Sequence, residues 1–148
     1  MKLRVMIAGG GTGGHLFPGI AIAQALLEEH PDTEILFVGT RHGIEFRVVP
    51  QQGFRLETIS AGGLMRMGFL RTLLNLFKLP WSLLQSLLIV LRFMPHVAIG
   101  VGGYASGPAM LAAWLLLRPT MIIEQNSVPG RTNRILARLV KKAVTAFS

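Results

Sequence analysis

Apolar side chains along this chain fall into compact blocks, and the blocks alternate between two kinds of spacing. Residues 3–8 (LRVMIA), 34–39 (EILFVG), 54–60, 96–100 (HVAIG), 120–124 and 143–147 are short runs bounded by glycine, proline or polar residues, and read as strands. Between them lie segments of helix-forming composition. One runs from residue 16 to about residue 30 and stops at Pro31, a short one lies within 40–50, and two more cover 108–117 and 130–141. The longest apolar segment, 64–93, reads as helix broken by Pro80 and closed by Pro95. Alternation of this kind predicts an α/β fold, a doubly wound parallel sheet covered by helices on both faces. With 148 residues and no linker or low-complexity stretch, residues 1–148 read as a single domain able to bury a proper core.

The breaks between the blocks hold the candidate chemistry. Strand one runs into GGGTGGH at 9–15, where five glycines in six positions bare the backbone so that amide N–H groups can face a ligand. The helix that follows adds its positive end, which suits phosphate. A tight turn alone needs one or two glycines, so an anion site is the stronger reading. Strand four runs into a second glycine turn, VGGYASGP, in which Gly102, Gly103 and Gly107 bare the backbone again and Tyr104 brings a hydroxyl. In a doubly wound sheet those two strands are neighbours at the switch point where ligands bind. His15, at the start of the first helix, reads either as a polar cap or as a ligand or general base. After strand five, Glu124-Gln125-Asn126-Ser127 puts four polar residues at the carboxyl end of a parallel strand. There Glu124 is either an acid neutralised by nearby bases or a substrate contact. His30, His42 and His96 show no metal spacing, and the absence of cysteine rules out disulfides and thiolate metal sites and fits a reducing compartment.

Composition changes the picture in one respect. Hydrophobic residues make up 51% and charged residues only 15%, and the net charge of +8 is concentrated after Glu57, where ten bases face the single acid Glu124. Nucleic acid, anionic lipid and phosphorylated substrates all answer to such a field. The bases flank long aliphatic runs and lack the interleaved aromatics of single-strand binders, which favours a bilayer surface over nucleic acid. Residues 79–91 are thirteen uncharged positions, short of the roughly twenty needed to span a bilayer. A buried core helix accounts for much of 83–91. Met65, Met67, Phe69, Leu70, Leu73, Phe77 and Trp81 are expected to form an exposed apolar patch ringed by Arg66, Arg71, Lys78 and Arg92. The first apolar run is too short for a signal peptide.

Gly9, Gly11 and Gly14 satisfy GxGxxG, but the ribose-binding acid of a dinucleotide fold is missing: strand two ends FVGT, followed by Arg41-His42, which at most suits an NADP-type cofactor. No lysine followed by serine or threonine closes the loop as a phosphate-loop nucleotidase requires. The stretches GGGTGGHLFPGIAIAQAL, FVGTRHGIE, GVGGYASGPAMLAA and IIEQNSVPGRTNRILAR, in that order, resemble the N-terminal half of the MurG family of N-acetylglucosaminyltransferases of peptidoglycan synthesis. The resemblance covers essentially the whole chain. It implies a Rossmann-like domain, the acceptor- and membrane-facing half of a GT-B enzyme that needs no cofactor or metal. Such an enzyme transfers N-acetylglucosamine from UDP-N-acetylglucosamine to lipid I, with inversion, giving lipid II at the cytoplasmic face of the inner membrane. By motif match, Thr12, Gly13, Gly14 and Asn126 would approach the donor. Gly11, His15, Gly102, Gly103, Tyr104 and Ser106 would face the acceptor diphosphate, with His15 the first choice of base and Glu124 the second. Phe69, Leu73, Phe77, Trp81 and Trp114, with Arg71, Lys78 and Arg92, would form the membrane patch. The family continues into a second GT-B half that holds most contacts to the uridine nucleotide. This half alone is expected to bind the undecaprenyl-diphosphate acceptor and membrane without catalysing transfer. A non-catalytic membrane-associated module is the alternative.

Overall fold

The computed structural model of the protein describes residues 2–62 and 69–145, the side chains of 69–77 excepted. Six strands, β1 (Arg4–Gly9), β2 (Glu34–Gly39), β3 (Arg55–Thr58), β4 (Val97–Gly102), β5 (Thr120–Glu124) and β6 (Lys142–Thr145), form one sheet. Every pair is parallel and the order is β3-β2-β1-β4-β5-β6. The chain moves outward from β1 to one edge, crosses back, and moves outward from β4 to the other, so β1 and β4 flank the switch point as expected. Among the described residues five helices make the connections: α1 (Gly13–Glu29), α2 (Glu45–Gln51), α3 (Phe69–Phe93), α4 (Ser106–Leu115) and α5 (Arg131–Leu136).

The two faces of the sheet follow from strand alternation. Val5 and Ile7 of β1 pack with Leu16, Ile20 and Ala23 of α1 and Val49 of α2. Met6 and Ala8 point the other way, into a cluster with Val90 and Phe93 of α3 and Ala109, Met110 and Ala113 of α4. Both clusters are closed to water, so β1 is apolar on both faces, as the unbroken run VMIA requires.

Three boundaries depart from the sequence reading. The expected break at Pro80 is absent: α3 is one helix of 25 residues that runs through the proline. Two serines lie just beyond it, and Ser82 Oγ donates to the Leu79 carbonyl at 2.9 Å while Ser86 Oγ donates to the Ser82 carbonyl at 2.7 Å, local bonds of the kind helices tolerate. Helix α5 ends at Leu136 rather than near residue 141. There the bonds tighten, with Arg138 N donating to Ile135 O and Leu139 N to Leu136 O, before Lys141 N reaches Thr120 O and delivers the chain to β6. Helix α1 starts inside the glycine loop, at Gly13, so His15 lies in its first turn.

Candidate functional site

Four loops meet at the carboxyl ends of β1, β2, β4 and β5. The first leaves β1 through Gly9, Gly10 and Gly11, all at positive φ (150°, 134° and 88°). These glycines serve first to bring two backbones together. Gly10 N donates to the Gly102 carbonyl at 3.2 Å, a Cβ on Gly9 would enter Gly102 O and Val101, and a Cβ on Gly103, itself at φ 89°, would enter the Gly10 carbonyl. The two glycine turns are thus the two sides of one packed seam.

The expectation that the loop's amides all face a ligand needs correction. Gly10 N–H is taken by Gly102, and Gly11 N–H donates to Glu45 Oε2 at 2.7 Å. Thr12 is the N-cap of α1, extended and making no side-chain cap. The N–H groups of the cap residue Thr12 and of Gly13 and Gly14, which open α1, have no intramolecular acceptor among the described residues. They are the donors left for an anion.

His15 stands over this seam. Its Nδ1 is 3.1 Å from Thr12 Oγ1, and its ring lies so close to Gly102 that a Cβ there would sit 2.6 Å from Cδ2 and 3.0 Å from Nε2. The second glycine loop is therefore bare where the imidazole needs room. Tyr104 is half exposed at the end of that loop, lining a shallow pocket with Ser60, Lys78, Leu79 and Pro108, and so links the seam to α3. Ser106 is fully buried, its hydroxyl close to Gly100 and without a hydrogen-bond partner among the described residues.

The loop after β5 is organised by Glu124. Only 3% exposed, its carboxylate accepts four hydrogen bonds: Oε1 from Asn126 N and Nδ2, both at 3.0 Å, and Oε2 from Gly130 N at 3.0 Å and Asn133 Nδ2 at 2.9 Å. Burial by itself would push its pKa up, but these donors outweigh burial and hold the carboxyl below its ordinary value. Such a group anchors a loop and makes a poor proton acceptor. Asn126 is exposed above it. Gln125 crosses to the first loop and donates from Nε2 to the Gly14 carbonyl at 2.8 Å.

The structure thus gathers Gly11, Thr12, Gly13, Gly14, His15, Gly102, Gly103, Glu124 and Asn126 around the switch point, with Tyr104 to one side and Ser106 beneath. Of the apolar patch, Trp81 is 55% and Trp114 40% exposed, and Lys78 and Arg92 are exposed on α3. The side chains of Phe69, Leu73, Phe77 and Arg71 lie outside the described residues. Two residues were missed by sequence reasoning. Gln125 read only as one of four polar residues, and Glu45 only as the last residue of the stretch FVGTRHGIE. The signal for Glu45 was an acid closing GTRHGIE, with glycines at 39 and 43 bare enough to admit its carboxylate. Among the described residues no three His, Cys, Asp or Glu side chains gather as a metal site.

A glycine-walled switch point, helix-start amides without an acceptor among the described residues and a polar loop anchored at the neighbouring strand define a Rossmann-like, doubly wound domain whose loops gather at the carboxyl edge of its sheet. The chain belongs to glycosyltransferase family 28, whose N-terminal domain matches residues 5–145. It is 55% identical over all 148 residues to the UDP-N-acetylglucosamine--N-acetylmuramyl-(pentapeptide) pyrophosphoryl-undecaprenol N-acetylglucosamine transferase of Syntrophus aciditrophicus. To the protein of the same name from Clostridioides difficile it is 48% identical over 145 residues. The chain spans 41% and 36% of the lengths of these relatives. Among solved structures it is similar to Acinetobacter baumannii MurG, with a TM-score of 0.87 and 34% identity over 99% of this chain and 42% of that one. A UDP-N-acetylglucosamine 2-epimerase shares the fold alone, at a TM-score of 0.66 and 12% identity over 97% of this chain and 41% of that one.

Proposed function

We propose that this domain is the acceptor-side half of an inverting transferase that moves N-acetylglucosamine from UDP-N-acetylglucosamine to an undecaprenyl-diphosphate-linked muramoyl acceptor at the inner membrane. The observation that carries the reading is the placement of His15, with Thr12 at one nitrogen and the bare Gly102 backbone beside the other. With Nδ1–H donating to Thr12 Oγ1, Nε2 keeps its lone pair and takes the proton of the attacking acceptor hydroxyl. That oxygen bonds to the anomeric carbon as the bond from carbon to the UDP oxygen breaks, and UDP leaves with the electron pair. The first-turn amides of α1 and the positive end of the helix offset diphosphate charge. Asn126, with Thr12 to Gly14, approaches the donor, most of whose contacts come from the second GT-B half.

An NADP-type cofactor fits less well. The Gly11 amide, which would face a pyrophosphate, is bonded inward to Glu45, whose carboxylate fills the space over Gly10 and Gly39.

The lipid acceptor calls for a membrane seat, and α3 supplies one. No helix among the described residues is long and apolar enough to cross a bilayer. Trp81, Leu84, Leu88 and Leu91 nevertheless form an outward stripe at helical spacing, each 44–55% exposed, beside Lys78 and Arg92. Residues 58–123 contain no acid at all, which suits an anionic leaflet.

The test joins this chain to the remainder of the Syntrophus aciditrophicus relative and measures sugar transfer to a lipid-diphosphate acceptor. The joined enzyme is expected to transfer N-acetylglucosamine, and His15→Ala to lose about a hundredfold or more in turnover. A loss below about tenfold would remove His15 as the base.

A further inference from the structure

We infer that Glu45 is a positioning residue of the transfer cleft, setting the Gly9–Thr12 turn and, through Thr12, the ring of His15. The inference rests on the glycosyl-transfer reading above. Glu45 opens α2 and is 1% exposed, yet among the described residues no cation pairs with it. Instead its two oxygens are divided between two loops. Oε1 accepts from Thr40 N at 2.8 Å and Thr40 Oγ1 at 2.9 Å, and Oε2 accepts from Gly11 N at 2.7 Å.

The surrounding backbone is cut to this carboxylate. Cβ atoms on Gly10, Gly39 or Gly43 would each collide with its carboxyl group or Cγ, so three glycines from two loops make the room it occupies. A charged acceptor strengthens the Gly11 bond. The bond draws the Gly11 N–H inward and holds that residue at φ 88°, and the next residue is the N-cap whose hydroxyl meets His15 Nδ1. The consequence is geometric. With the Gly11 amide committed behind the loop, Thr12 is fixed at the mouth of α1 and the imidazole has one place to stand, between Thr12 and Gly102.

Glutamine tests this directly, because its carboxamide has one acceptor oxygen and a donor nitrogen. Whichever way the amide turns, an N–H group meets either Gly11 N–H or the Thr40 donors. In the joined enzyme, Glu45→Gln is expected to lower turnover about a hundredfold with KM little changed, because a base about an ångström out of place loses that much. Val49→Ala, which hollows the core under the same helix, serves as the control: it lowers the melting temperature and leaves turnover near wild type. Glu45→Asp keeps the charge on a shorter arm and recovers part of the turnover. Should the glutamine variant not fold, the aspartate carries the same comparison. In the isotope-labelled chain, the Gly11 amide and His15 ring resonances move in the Glu45 variants and stay in place in Val49→Ala. Wild-type turnover with unmoved resonances overturns the inference, and so does an equal loss of turnover in a Val49→Ala protein of matched stability. If the joined parent transfers no sugar, the transferase reading fails by itself. The resonances then decide the role of Glu45, an unmoved His15 ring overturning it and a moved one supporting it.

Discussion

Gln125 Nε2 donates to the carbonyl of Gly14 across 111 residues of sequence, and the bond exists because of Pro18. In a regular helix the Gly14 carbonyl would accept from the N–H four residues on, but residue 18 is proline and has none. The side chain of the β5 loop supplies the missing donor. One amide thereby ties the loop that carries Asn126 to the first turn of α1, which carries His15.

The tie can be measured by a double-mutant cycle. Gln125→Ala is expected to cost about 1 kcal/mol, the net worth of a hydrogen bond whose acceptor is left unpaired. Pro18→Ala restores the helical donor to Gly14, and in that background removing Gln125 costs distinctly less. The cycle cancels what proline does to the unfolded chain. Urea unfolding of the four proteins gives the coupling energy, and strict additivity would show that the two residues do not share the carbonyl.

Glu124 makes stability depend on pH with a definite sign. Its carboxyl is held below the ordinary value of 4.5, so between the two values the unfolded chain binds the proton and the folded chain does not. The stabilisation is therefore fully present above pH 4.5 and is lost as pH falls through the lower, folded value. Protonation would strip charge from an oxygen pair serving four donors and release the 124–133 loop. Glu124→Gln is expected to be less stable than wild type at pH 7 by about 2 kcal/mol, since buried donors lose their acceptor, and to show a shallower fall in melting temperature below pH 4.5. Glu34, on the surface, is also shifted down, first by its hydrogen bond from Lys2 and then by the charge of that lysine, and titrates in the same window. Its share is screened by about 1 M salt, whereas that of the buried Glu124 persists. Equal pH profiles for wild type and Glu124→Gln would contradict the assignment.

Much of the framework was legible in the sequence because it depends on local pattern. Strand blocks of two-sided apolar residues, helix stops such as Pro31 and glycine turns at the ends of β1 and β4 are signals contained within a dozen residues. They determined the alternation, and the alternation determined the switch point. What sequence could not supply was the far partner of each polar group. Glycines at 10, 39 and 43 look like turn residues until a carboxylate from α2 is found among them, and the amide of Gly11 looks free until Glu45 takes it. Pro80 reads as a breaker because the cost of proline is local, yet in α3 the flanking packing against α4 and β-sheet outweighs it. The helix also inverts the expected polarity, with Ser82 and Ser86 at 1% exposure facing inward while Leu84 and Leu88 face out. Composition alone assigns those leucines to the core.

That inversion gives the membrane seat its sharpest test. The inward serines satisfy their hydroxyls on the helix's own carbonyls and present small surfaces to the core, while Leu84 and Leu88 on the opposite side are left half exposed among the described residues. Sinking the half of each side chain still exposed into an interface is worth about 1 kcal/mol, so placing a carboxylate at both positions removes at least about tenfold in affinity. The wild-type chain is expected to sediment with phosphatidylglycerol-containing vesicles, more weakly as salt rises, and not with phosphatidylcholine alone. Leu84→Glu combined with Leu88→Glu, at positions 46% and 44% exposed, should keep the wild-type melting temperature and lose vesicle binding. Retained binding in the double variant would move the contact off this face of α3, and salt-insensitive absence of binding by the wild-type chain would remove the membrane seat altogether.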